Sequence, residues 1–309
     1  MTTEPTQAAH DEERGPDRVV QVPVPGGELT VAVRDVADPD APTVLLIHGI
    51  TASHHAWDLV ADRLPGVRLV VPDLRGRGRS NEVTGEVGMA RHADDMAAVL
   101  DALGVAQATV VGHSMGGFVS VVLAHRHPER VSRLVLVDGG LPFELPPGVP
   151  VEEVIKVVLG PTAARLAMRF ASVEDYFDFW RQHPAFLDVA WSDYLAGYFA
   201  YDLVGEAPEL RPAASYDVAA GDNVDLLTGE AVPAAVAALA QPTCFITVPL
   251  GLQAEPPGLY RAERVPELLA ALPLTVPHRR LEQFNHYTVI MTPEGADAVA
   301  AIIRDHMAA

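Results

Sequence analysis

The chain has 309 residues, 49% of them hydrophobic, with a formal net charge of −19 and a pI of about 4.9. That length and apolar content suit one large α/β domain, alone or carrying a smaller inserted unit. The acidic balance argues against nucleic acid and anionic membranes as partners, and no apolar run approaches the ~20 residues that span a bilayer.

The chain opens on a polar, acidic stretch, residues 1–17, without the charged start and apolar segment of a signal peptide. It reads as a disordered leader, and a cytoplasmic location is the expectation. Two strand-like runs follow, RVVQVPV and ELTVAVRDV, separated by PGG, a hairpin signal. TVLLIHG (43–49) is a continuous apolar strand. HHAWDLVADRLP has helical spacing, with Trp57, Val60 and Leu64 on one face. RLVVPD (68–73) is a short buried strand, 89–103 an amphipathic helix, and ATVVGHS (108–114) a strand that runs straight into the helix MGGFVSVVLAHRHPERV. RLVLVDGG (133–140) is a further strand. Wholly apolar strands alternating with helices indicate a parallel sheet covered on both faces.

The alternation then breaks. Residues 141–240 hold no comparable strand, and 11 of the 19 aromatics crowd into 170–201. This segment reads as a helical insertion whose rings either roof an apolar pocket or form a core of their own. The pattern resumes with the strand TCFITVP, the helix AERVPELLAALP, the strand LTVPHRRLE and the helix PEGADAVAAIIRDHM. The core is thus assigned to 18–140 and 241–309, split by an insertion at 141–240.

The chemistry-bearing motif is GHSMG, Gly112 to Gly116. It fits Gly-x-Ser-x-Gly between a strand and a helix. A sharp turn there strains the Ser backbone, and side chains at the flanking glycine positions would clash. The Ser oxygen then stands at a helix N-terminus, where free N–H groups favour developing negative charge.

With LLIHGI (45–50), VPDLRGRGRS (71–80), VVGHSMGG (110–117), LVLVDGG (134–140) and NHYT (285–288), the chain resembles the α/β-hydrolase superfamily over residues 18–307. Within it, the chain is similar to esterase-like serine hydrolases with a helical cap. The resemblance implies an α/β-hydrolase fold: a mostly parallel eight-stranded sheet, helices on both faces and an inserted helical cap. It implies Ser114 as nucleophile and His286 as general base. It also implies an oxyanion hole formed by the backbone N–H groups of Ile50 and Met115, with no cofactor and no metal.

The triad acid departs from the pattern. The family acid usually lies in the loop after the seventh strand, and counting three residues on from Gly251 lands on Ala254. Two candidates remain. Glu255 is adjacent, but Pro256 restricts its backbone and a one-residue shift in an extended segment turns the side chain to the opposite side. Asp138 ends the strand that the family's sheet order puts beside the one carrying Ser114. Asp138 is favoured, and Glu255 stays as the second choice.

The other candidates have structural readings. His113 neighbours Ser114 but points elsewhere. His48 precedes the oxyanion glycine as a hydrogen-bonding residue. His54 and His55 start a helix or border the pocket. His125 and His127 do not share a helix face, so a metal pair is disfavoured. DLRGRGRS lacks the Gly-Lys-Ser/Thr of a phosphate loop and reads as a structural turn. The lone Cys244 reads as a small core residue.

The leading functional reading is a serine hydrolase of a carboxylic ester, possibly a lactone, with a small apolar substrate. A carbon–carbon bond hydrolase or cofactor-free haloperoxidase would use the same triad. Serine at the elbow argues against haloalkane dehalogenases and epoxide hydrolases. Lys156, the single lysine, lies far from the position a hydroxynitrile lyase needs. A reading of another class is a catalytically inactive small-molecule-binding protein. The oligomeric state is left open.

Overall fold

The computed structural model describes residues 14–143, 148 and 150–309. Residues 1–13 of the expected leader and the side chain of Lys156 fall outside the described residues.

An eight-stranded sheet runs through the molecule. Its strands are β1 (Arg14–Val24), β2 (Gly27–Val36), β3 (Thr43–Ile47), β4 (Arg68–Pro72), β5 (Ala108–His113), β6 (Val131–Val137), β9 (Thr243–Thr247) and β10 (His278–Arg280). The remaining two, β7 (Leu203–Val204) and β8 (Arg211–Pro212), form a separate small ladder in the insertion. The order across the large sheet is β1-β2-β4-β3-β5-β6-β9-β10. β1, β2 and β4 pair antiparallel, and every other neighbour is parallel. The PGG hairpin needs its glycine: Gly26 has φ +95°, and a Cβ there would lie 1.9 Å from the Thr84 carbonyl oxygen. β1 begins at Arg14, ahead of the expected boundary at 18.

The wholly apolar central strands are buried on both sides because each face has its own core. Leu45, Ile47, Val110, Leu134, Leu136 and Phe245 pack with α1 (Met89–Ala102) and α2 (Met115–Arg126). Their alternates Val44, Leu46, Val111, Val135, Val137 and Ile246 pack on the other face against Trp57 and α9 (Pro293–Ala308). The alternation is the two-residue period of a strand expressed as two separate cores.

The insertion contains α3 (Val151–Ala167), α4 (Val173–Arg181), α5 (Asp193–Tyr201), α6 (Tyr216–Thr228) and α7 (Ala231–Ala237). Serine caps start three of them: Ser172, Ser192 and Ser215 each accept from a backbone N–H in the first turn. The segment 141–240 is not all insertion, however. Val232, Ala235 and Leu239, on and just after α7, belong to the core on the α2 side of the sheet. A parallel pair needs a crossover connection, and α7 is the last piece of the one joining β6 to β9. The aromatic run packs largely on itself. Trp180 stacks on Phe199 at 4.5 Å between centroids, and Trp191 stacks on Phe199 at 5.5 Å.

α8 (Val265–Ala270) precedes an edge strand shorter than the sequence suggested. Only His278–Arg280 pair with β9. Pro277 has no N–H to donate to a ladder, and it contributes only its carbonyl, to Phe245 N. The stretch from His54 is a 3₁₀ turn followed by one helical turn, and it buries Trp57, Val60 and Leu64 as the spacing required.

Candidate active site

The parallel strands all end on one edge of the sheet, and the chemistry-bearing residues collect there. Ser114 joins β5 to α2 with φ 55° and ψ −125°. A non-glycine residue held there costs on the order of 1–3 kcal/mol, so the surroundings must impose it. They do so through contacts that only glycine permits. A Cβ at Gly112 would lie 2.2 Å from Gly116 O, and one at Gly116 would lie 2.1 Å from Ile47 O. The elbow is also tied to the next strand, because Ser114 N donates to Val137 O at 2.9 Å. Ser114 is half-buried, and its Oγ has no hydrogen-bond partner among the described residues.

Asp138 follows β6 directly and has φ 45°, a left-handed conformation that Asp tolerates better than most residues. Its N–H donates to Ile246 O at 2.8 Å, which seats it between β6 and β9. From there Oδ2 lies 2.6 Å from His286 Nδ1, with both residues buried. The second oxygen accepts only a long 3.4 Å bond from Val248 N. His286 is held from its backbone as well. Its N–H donates to Leu250 O at 3.0 Å, and its carbonyl bonds His113 Nε2 at 2.8 Å. With Nδ1 facing Asp138, Nε2 is the free end of the ring, beside the residue that precedes Ser114.

Glu255 is elsewhere. It is exposed, and Oε2 accepts from Gln253 N at 2.7 Å. Its carbonyl accepts from Gly251 N at 2.8 Å. The glutamate therefore closes its own loop, and the structure brings Asp138, not Glu255, to His286.

The Gly49–Ile50 turn lies across from the elbow: a Cβ at Gly49 would sit 3.2 Å from Ser114 Cβ. Gly49 O accepts from Ala52 N at 3.2 Å and bonds His48 Nδ1 at 2.8 Å. Neither Ile50 N–H nor Met115 N–H has an acceptor among the described residues. Two free backbone donors flanking a strained serine form an arrangement suited to a developing oxyanion.

Several of the other histidines have structural partners. His48 Nε2 accepts from Leu74 N at 3.0 Å, which requires a neutral ring. Burial pushes its pKa down to about 4, against an opposing pull from Asp73. His113 turns toward the His286 loop rather than solvent, and burial drives it well below its ordinary value. His54 Nδ1 lies 2.9 Å from Asp73 Oδ1, and His127 Nε2 lies 2.9 Å from Asp94 Oδ1. Cys244 is a buried core residue. Among the described residues, no group of three or more His, Cys, Asp or Glu is placed to hold a metal ion, and no helix is long and apolar enough to cross a membrane.

Sequence reasoning missed two buried arginines. DLRGRGRS read as a basic, Gly-rich structural turn, yet Arg75 is 1% and Arg77 0% exposed. Arg75 forms a two-pronged pair with Asp95, at 2.7 and 3.1 Å. The partners lie far along the chain, so no local pattern announced them.

Comparison with known proteins agrees with the fold. The sequence model of a family described as alpha/beta hydrolase fold matches residues 42–161. Lipase LipV of Mycobacterium tuberculosis is 37% identical over 122 residues, 39% of this chain and 45% of that protein. The bifunctional esterase/perhydrolase DCH of Acinetobacter calcoaceticus is 36% identical over 132 residues, 40% of this chain and 48% of that one. The chain spans less than half the length of these curated relatives. The crystal structure of E-2-(acetamidomethylene)succinate hydrolase superposes with a TM-score of 0.76 at 21% identity, covering 94% of this chain and 100% of that one. At that identity the superposition speaks for the fold alone.

Proposed function

We propose that the chain, which has the α/β-hydrolase fold and matches that family's sequence model over residues 42–161, is a serine hydrolase that cleaves a carboxylic ester through an acyl-enzyme on Ser114. The observation that carries the reading is the buried Asp138–His286 pair at 2.6 Å beside a strained, half-buried serine. Ser114 Oγ attacks the ester carbonyl while His286 Nε2 takes its proton. The Ser–His hydrogen bond closes as substrate binds, a common difference between free and loaded sites. Asp138 holds the ring so that Nδ1 keeps its proton, and it stabilises the imidazolium. The N–H groups of Ile50 and Met115 bind the oxyanion. The tetrahedral adduct then collapses, and His286 returns its proton to the departing alkoxide. Water, deprotonated by His286, attacks the acyl-enzyme and releases the acid, regenerating Ser114.

Esterase- and lipase-named relatives support this reading, although they match only part of their length. The aromatic segment supports an apolar substrate, because Trp180 and Phe186 reach Tyr287, next to His286, at 6.1 and 5.6 Å between centroids. A fluorophosphonate probe tests the proposal. The wild-type chain should label stoichiometrically and Ser114→Ala should not; an unlabelled wild type that also leaves nitrophenyl esters intact overturns the reading.

A further inference from the structure

The two backbone donors assigned to the oxyanion lie on separate elements, the Gly49–Ile50 turn and the first turn of α2. One side chain touches both residues. Arg77 is fully buried. Its Nε donates to Ile50 O at 2.7 Å, and its Nη2 lies 3.8 Å from Met115 Sδ. Nη1 donates to Arg75 O at 2.8 Å and pairs with Asp222 Oδ2 at 2.5 Å.

We propose that Arg77 is a positioning residue for the oxyanion hole, and that Asp222 on α6 anchors it, so that the insertion sets the direction of the Ile50 donor. The inference rests on the serine-hydrolase reading. The two peptide units that meet at the Ile50 Cα are each pinned by a side chain. The Gly49–Ile50 unit, which carries the proposed donor N–H, is held at its carbonyl by His48 Nδ1. The Ile50–Thr51 unit is held at its carbonyl by Arg77 Nε. With both fixed, the Ile50 N–H has one direction. A guanidinium suits this task because its planar fork presents donors in fixed directions.

Asp222 is itself preset by other bonds. Its Oδ1 accepts from Gly88 N at 2.7 Å, and its Oδ2 lies 2.9 Å from His92 Nε2. The carboxylate is buried, a cost that its partners His92 and Arg77 outweigh, and its pKa stays well below the usual carboxylate range. The pair is therefore an ionised, fully enclosed strut running from α6 to the oxyanion turn.

Removing Arg77 alone would strand the Asp222 charge, which is strongly destabilising in a buried pair. The decisive variant is therefore Arg77→Met combined with Asp222→Asn, compared with Arg77→Lys and wild type. Each is measured as full-length protein for nitrophenyl ester kinetics per titrated active site and for inhibition by an alkyl trifluoromethyl ketone, whose adduct with Ser114 carries the oxyanion. The double variant should lose about ten- to a hundredfold in kcat, short of the ~10²–10³ seen when a donor is deleted outright. KM should stay within about threefold, and the ketone should weaken in parallel with kcat/KM. Arg77→Lys keeps the charge without the fork and should fall between the two. A purely structural role would lower the titre of active sites while leaving kcat per site and ketone affinity intact. That result overturns the inference, as does a folded double variant equal to wild type. Should the double variant fail to fold, a wild-type kcat and ketone affinity in Arg77→Lys overturns it. An inert wild type overturns the hydrolase reading and the inference together, whereas an active wild type with unaffected variants overturns the inference alone.

Discussion

Replacing Asp138 by Asn is the sharpest test of the assigned acid, because the substitution keeps shape and removes charge. The carboxylate is fully buried, 2.6 Å from His286 Nδ1. When His286 accepts the serine proton, carboxylate and imidazolium face each other with charge centres about 4 Å apart. At an effective dielectric of about 20 that attraction is worth about 4 kcal/mol, which is about a thousandfold in rate. A second loss comes on top. The Asn amide presents either N–H or C=O to Nδ1, and when N–H faces the ring, the imidazole proton moves to Nε2 and the base is blocked. Together these give a fall in kcat of about 10⁴, the size observed when a triad Asp becomes Asn elsewhere. The assay is nitrophenyl ester hydrolysis normalised to fluorophosphonate-titrated sites, with Glu255→Gln as the matched control. Asp138→Asn should retain a melting temperature within a few degrees, and Glu255→Gln should stay within about twofold of wild type in kcat. A loss below tenfold in Asp138→Asn, or an equal loss in Glu255→Gln, refutes the reasoning.

Ser114→Ala should fold normally and lose about 10⁶ in kcat, as measured by burst and steady-state kinetics on the same esters. Gly139→Ala should be among the most damaging single substitutions for folding, because its Cβ would lie 2.1 Å from Ser114 O; calorimetry should show a melting temperature lowered by more than about 5 °C. His48 makes the oxyanion turn sensitive to acid. Its folded pKa of about 4 lies below the ordinary histidine value of about 6.5, so the unfolded chain takes up its proton first as pH falls. The stability contributed by neutral His48 is thus present above pH 6.5 and declines as pH drops toward 4, by up to about 3 kcal/mol. Denaturant titration across that range should show the slope, and His48→Asn should flatten it; an unchanged slope counts against the assignment.

Legibility differed by residue, for physical reasons. Ser114 announced itself because a strained elbow demands glycines at fixed neighbouring positions, and a local steric rule leaves a local pattern. His286 was legible from its place between the final strand and the final helix. Asp138 was harder: in DGG it looks like turn chemistry, and its role depends on β6 lying between β5 and β9. Glu255 stayed a second choice because it adjoins Ala254, although in a segment taken as extended its side chain would turn to the opposite side. In the structure Ala254 has φ 55° and the glutamate closes a tight turn. Arg77 was not legible at all, because its partners Ile50, Met115 and Asp222 are contributed by three separate segments. The aromatic run gave the insertion but not its inner boundary, since α7 has the same apolar character whether it covers the sheet or a roof.

Placing the proposed acid directly after β6 alters what the chain can tolerate. Ser114 and Asp138 end neighbouring strands, and one backbone bond, Ser114 N to Val137 O, joins the two ends. Their separation is therefore written into sheet register. The loop after β9 keeps two anchoring duties at its start: Val248 N–H donates to Asp138 Oδ1, and the Leu250 carbonyl holds the backbone of His286. Beyond it, positions 252–259 are half-buried or exposed and carry none of the reacting groups. That stretch is a natural graft site, where length and composition can be changed, by lineage or by design, at the mouth of the site while its chemistry stays in place.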